Sequence, residues 1–155
     1  MLLSKIFKNR KGMGLVEVIA ALGISVVVIT SLLSLTLFSL RTSLTSSLLM
    51  EGTKAANVET ELIRAYRDSI DWDTFSGEFL SCTDSSVGCH IDKTSLKVTT
   101  GYESFVSSGV TVTTGFYVTD SDTNIIHVTV KSSWDIGGQT KNTYVYTDFT
   151  NWQKK

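Results

Sequence analysis

Hydrophobic and polar positions divide the chain into three regimes. From Met13 to Leu40 the residues are apolar or small almost without break (MGLVEVIAALGISVVVITSLLSLTLFSL), and the only charge is Glu17. As a helix this stretch is about 40 Å long at 1.5 Å per residue, enough to cross the roughly 30 Å hydrocarbon core of a bilayer. Arg41 ends it. Over residues 41–72 the pattern becomes amphipathic: Leu44, Leu48, Ala55, Val58, Leu62, Ala65 and Ser69 recur at helical spacing and predict the buried face. Arg41, Glu51, Lys54, Glu59, Glu61, Arg64, Arg67 and Asp68 are expected on the wet side, with Arg64 and Asp68 paired at i,i+4. The chain contains no proline, so nothing interrupts the helix before its expected end near Ile70 to Trp72.

Residues 73–155 form the third regime, a globular head. Phe75 to Gly109 is irregular. Beyond it the period changes to two: Val110, Val112, Phe116 and Val118 share one face, as do Ile126, Val128, Val130 and Trp134, with His127 and Lys131 opposite. Asp120 to Asn124 and Gly137-Gly138 read as turns, and Thr143 to Phe149 as a closing strand. Three hairpin-connected strands, joined by a fourth if Leu96 to Thr100 adds on, make an antiparallel sheet whose apolar face the amphipathic helix covers. The expected fold class is α+β.

Charge adds direction. Lys5, Lys8, Arg10 and Lys11 lie in residues 1–12 with no acid, whereas all fifteen Asp and Glu follow Gly12 against the remaining ten Lys and Arg, a side-chain net of −5. The basic end predicts a cytoplasmic N-terminus and a head on the far side of the membrane. Such an acidic head is not expected to bind nucleic acid directly, because affinity for phosphate comes from Lys and Arg. The apolar run exceeds the 7–15 residues of an ordinary secretory h-region. A plain signal anchor explains the length and the charges but not Glu17, since a carboxylate in a membrane span costs on the order of 3 kcal/mol.

The order Lys11-Gly12-Met13-Gly14-Leu15-Val16-Glu17, followed by an apolar helix, resembles the class III signal of the type IV pilin family, usually K-G-F-T-L-I-E. The likeness is close over roughly residues 5 to 40 and architectural beyond. It implies that a prepilin peptidase/methyltransferase removes the leader 1–12 by cutting Gly12–Met13 and methylates the Met13 amine. Glu17 would neutralise that amine, its own or a neighbour's, during assembly. The implied partners are other pilin subunits through the N-terminal helix 13–40, the inner-membrane assembly platform and, before assembly, membrane lipid. Met13 stands where Phe is usual. Gly14 stands for Thr or Ser and offers a second cut, disfavoured because Glu17 would then lie three residues from the new end. Ser34 occupies the place of a helix-bending proline found in many members, leaving Gly23 and Gly52 as the glycines of the helix interior. Small residues such as Ala21 and Ser25 would let helices approach closely.

Cys82 and Cys89 lie outside the membrane in this topology, where thiols oxidise. A disulfide is the favoured reading. Zinc with the adjacent His90 and free thiols are the alternatives; two Cys and two His without C-x-x-C make a poor zinc set. Major pilins carry their cysteines near the C-terminus, so this upstream pair points to a minor pilin; the Trp134 strand, glycine turn and closing strand resemble PilV-type minor pilins and minor pseudopilins. No cofactor or metal is expected, and no Ser/His/Asp, phosphate-loop or H-E-x-x-H pattern occurs. His90 and His127 stand alone, with His127 expected as an exposed strand residue. Asp71 and Asp73 read as capping or solvated acids. Asp120-Ser-Asp122-Thr-Asn124 mimics a calcium loop but has Ile125 where glycine is required, so a hairpin turn is expected. The expected function is non-enzymatic: a minor pilin in the cytoplasmic membrane, later in a pilus at the cell surface. The alternatives are a minor pseudopilin of type II secretion and, from another class, a signal-anchored periplasmic enzyme or binding domain.

Overall fold

The computed structural model describes residues 13–152. A single helix, α1, runs from Met13 to Ser69. The short helix α2 (Trp72–Phe79) follows, then six strands: β1 (Cys89–Ile91), β2 (Val98–Thr100), β3 (Glu103–Ser107), β4 (Val110–Asp122), β5 (Ile125–Ile136) and β6 (Gln139–Thr150). The chain divides into two compact units, one up to Leu44 and one from Thr45 onward. The fold is α+β: a long N-terminal helix whose later turns pack on a C-terminal antiparallel sheet.

The sheet has the order β2-β1-β4-β5-β6, and β3 pairs with the same edge of β4 that β1 begins. All pairings are antiparallel. Two tight turns set the register of the long strands. Asp122 pairs with Ile125 across Thr123-Asn124, so the calcium-like run is a hairpin turn. Ile136 pairs with Gln139 across Gly137 and Gly138, whose φ values of 59° and 77° are those of a type I′ turn, the form that matches strand twist. The alternation read from the sequence holds: Val112, Phe116, Val118, Ile126, Val128, Val130 and Trp134 all point into the core.

The helix presents a different face from the expected one. Leu48, Gly52, Ala56, Glu59, Thr60, Ile63, Tyr66 and Arg67 are buried, while Leu44 and Val58 remain exposed. The buried stripe is rotated by about one residue from the predicted one. Gly52 accounts for part of this. A β-carbon there would lie 2.5 Å from Cζ3 of Trp134, so the absent side chain lets the indole lie against the helix backbone. Trp134, Leu48 and Val112 form a small cluster there, and the main core gathers Ala56, Ile63, Tyr66, Phe116, Val128, Val130 and Phe149.

Glu59 and Arg67, expected on the wet side, are therefore corrected to buried. Arg64 pairs at 2.5 Å with Glu61 rather than with Asp68. The stretch 75–109 is not irregular throughout. Asp71 caps α2 by accepting the Thr74 N–H at 2.9 Å, and Trp72, Phe75 and Phe79, at i, i+3 and i+7, bury the apolar side of that helix. β1 and β3 also fall in this stretch, making six strands where three or four were expected.

Candidate functional site

The first unit is built for an apolar surrounding. Its large side chains are exposed on every side, from Leu15 and Val16 through Val27 and Leu33 to Phe38 and Leu40. A helix that is hydrophobic all round requires a core or a bilayer to cover it, and none of the most apolar stretch is buried within the chain. By length and composition it is able to span a membrane.

Its hydroxyls from Ser25 to Thr36 are already satisfied. Ser25 donates to the Ala21 carbonyl at 2.8 Å, Ser31 to Val27 at 2.7 Å, Ser34 to Thr30 at 2.9 Å and Thr36 to Leu32 at 2.9 Å. Each bond returns a polar group to the preceding turn, which keeps Ser and Thr tolerable in hydrocarbon. Ser34, in the expected place of a bending proline, thus continues the helix. A carboxylate only accepts, so no carbonyl of the preceding turn satisfies Glu17 in this way. It lies on the exposed surface of the first turns as the one charge between Met13 and Leu40. Met13 opens α1; Gly12 and the leader lie outside the described residues.

Cys82 and Cys89 form a disulfide with a Cα–Cα separation of 5.8 Å. Both are buried in the main core. The bond links the end of the α2 turn to the start of β1, and the Val118 N–H donates to the Cys82 carbonyl at 2.8 Å, tying the loop to β4. The sulfurs are therefore not metal ligands. His90 is engaged separately, its Nδ1 2.7 Å from the Gly101 carbonyl oxygen. No cluster of His, Cys, Asp or Glu able to hold a metal occurs among the described residues.

Two charged residues missed in the sequence lie at structural joints. Glu59 Oε1 accepts the Ile91 N–H at 2.7 Å. Ile91 lies two residues beyond the single β1–β4 pair, Cys89 with Phe116, just where β4 changes partner to β3 through Glu103 and Thr114. A helix side chain thus supplies the acceptor for a strand N–H at the split. Burial is the main cause that pushes the Glu59 carboxyl up to about 7. Arg67 donates from Nη2 to the Thr150 carbonyl at 2.8 Å and lies between the indoles of Trp72 and Trp152, 5.5 and 5.2 Å from their centroids. The signal for both was available: Glu59 follows Ala56 by three and precedes Ile63 by four, and Arg67 adjoins Tyr66 on the same stripe.

His127 stands on the outer face of β5 with Nδ1 2.6 Å from Asp148 Oδ1, and that hydrogen bond raises its pKa. The pair bridges adjacent strands. Comparison of the chain with protein-family models, with curated proteins and with solved structures returns no match.

Proposed function

We propose that this chain is a type IV pilin-like subunit of the minor class: a structural and assembly component, inserted in the cytoplasmic membrane by α1, with a cytoplasmic N-terminus and an extracytoplasmic head. A prepilin peptidase cuts after Gly12, and the subunit then joins a filament through its N-terminal helix. The observation that carries this reading is Glu17. It is an isolated carboxylate, the fifth residue after Gly12, on an otherwise uncharged helix of membrane length. In low dielectric a carboxylate beside a newly exposed amine gains a strong attraction, whereas an unpaired one is heavily penalised. The pair would set the axial register of one helix against its neighbour. A disulfide in the head supports an oxidising compartment beyond the membrane.

The test is the mass of the membrane-extracted protein after co-expression with a prepilin peptidase. The expected product begins at Met13 and carries one added methyl group. Gly12→Ala should leave a heavier, uncut chain. A product that begins at Met1 despite active peptidase, or at a residue beyond Arg41, overturns the reading.

A further inference from the structure

Three strands leave one side of the sheet unpaired, and they differ in length: β2 offers three residues, β3 five and β6 twelve. An edge as long as β6 is a template for another strand unless proline, a bulge or charge breaks it. The chain has no proline, and the β5–β6 ladder runs without a shift from Ile136–Gln139 to Ile125–Thr150. The charges of β6, Lys141 and Asp148, lie toward its two ends.

The hairpin turn fixes where the backbone groups of this edge point. Ile136 and Gln139 close a two-residue turn and exchange both hydrogen bonds, so Gln139 and every second residue after it direct N–H and C=O at β5. Thr140, Asn142, Tyr144, Tyr146, Asp148 and Thr150 direct theirs away from the sheet. The Thr150 carbonyl, reached by Arg67 and by the Trp152 N–H, fits this alternation. From Thr140 to Asp148 no hydrogen bond to these backbone groups occurs among the described residues. The rings of Tyr144 and Tyr146, on the face turned away from the helix, are nearly parallel, 19° apart with centroids at 6.4 Å. They remain 42% and 75% exposed.

The side chains decide which strand fits. A second β6 running antiparallel must set even-numbered residues opposite even-numbered ones; any other register mismatches the free N–H and C=O groups and turns the side chains to opposite faces. With a two-fold axis at Val145, the two strands overlap from Thr140 to Thr150. Tyr144 then faces Tyr146 of the second copy, and Tyr146 faces its Tyr144. Asn142 meets Asp148, Thr143 meets Thr147, Lys141 meets Phe149, and Val145 meets itself. No like charges are opposed, and four tyrosine rings come together on the outer face. Moving the axis to Tyr144 or Tyr146 shortens the overlap and sets two of the four rings opposite Asn142 or Asp148.

We propose that β6 is a self-association edge: two copies of this chain pair their β6 strands antiparallel about Val145 and join their sheets into one. The axis is perpendicular to the sheet, so the α1 turns from Thr45 to Ser69 of both copies lie on the same face and run in opposite directions. This pairing goes beyond the assembly role and uses no residue between Met13 and Leu40. It is tested with the full chain at one copy per lipid nanodisc, which keeps the apolar segments apart and leaves the heads free to meet in that opposed orientation. Sedimentation should show paired discs at about 100 µM chain. Tyr146→Pro removes an outward N–H and spares the β5 ladder, so it should weaken pairing at least about tenfold without lowering the melting temperature. The double variants Tyr144→Lys/Tyr146→Lys and Tyr144→Glu/Tyr146→Glu should each stay single, and a mixture of the two should pair. On oxidation Val145→Cys should cross-link to itself, because opposed residues of a non-hydrogen-bonded pair lie about 4.5 Å apart. Thr147→Cys, which faces Thr143, should not. Parent discs that remain single, pairing indifferent to Tyr146→Pro, a mixture of the Lys and Glu variants that fails to pair, or cross-linking through Thr147→Cys ahead of Val145→Cys overturns the proposal.

Discussion

Glu59 of the helix accepts the backbone N–H of Ile91 at 2.7 Å, joining two residues 32 positions apart at the point where the sheet edge divides. The carboxyl is almost wholly buried, and His90, Lys93 and Glu103 are the charged or titratable groups that face it. Its pKa rises from 4.5 to about 7, so folding favours the protonated form. Stability from this group is complete below pH 4.5 and is lost as pH rises through 7, by at most about 3 kcal/mol. Asp71, Asp84 and Asp92 act in the opposite sense. Hydrogen bonds from Thr74, Ser86 and Ser95 lower their pKa values, so their contribution disappears as pH falls through the acid range. Calorimetric melting between pH 4 and 8 should therefore show a maximum near the acid end. Glu59→Gln should flatten the decline toward pH 8; an unchanged slope in that variant would show that another group is responsible.

Gly52 and Trp134 make a paired prediction. On helix propensity alone, Gly52→Ala should stabilise by roughly 1 kcal/mol. The contact with Trp134 reverses the sign, and overpacking should cost about 1–3 kcal/mol. In a Trp134→Leu background the same substitution should become neutral or favourable. A urea-unfolding double-mutant cycle on the four proteins measures the difference.

The disulfide closes a short loop but fastens α2 to the sheet. Replacing both cysteines with serine should cost roughly 2.5 kcal/mol from chain entropy alone. Two buried hydroxyls add to that loss, because both positions are only 2% exposed. A fall in melting temperature of about 10 °C or more is expected for a head of this size, read by circular dichroism with and without reductant on the parent protein.

Glu17→Val removes the single carboxylate of the apolar helix while keeping its shape and hydropathy. Membrane insertion and leader removal should persist, and incorporation into filaments should fall at least roughly tenfold, as immunoblots of sheared filaments against membranes would show. Normal incorporation would remove the role assigned to this side chain.

The amino-acid sequence by itself determined whatever is local and periodic. The apolar run from Met13 to Leu40, the missing proline and the charge step at Gly12 define a membrane-length helix without reference to any partner. Two-residue alternation placed Val112, Phe116, Val128, Val130 and Trp134 on one face, and Gly137-Gly138 marked the turn that closes the last hairpin. α2 was readable in retrospect from Asp71 with Trp72, Phe75 and Phe79, but its eight residues fell within a stretch of mixed pattern. Only the tertiary structure decided which stripe of α1 faces the sheet, because that depends on where Trp134 finds a gap and where Ile91 needs an acceptor. Glu59 and Arg67 looked solvated by their own chemistry; partners far along the chain made burial tolerable. The same holds for the tyrosines, since strand register brought Tyr117, Tyr144 and Tyr146 together and a missing β-carbon at Gly115 admitted Tyr102. Period and composition act within a few residues, whereas shape complementarity and buried hydrogen bonds exist only between segments already folded together.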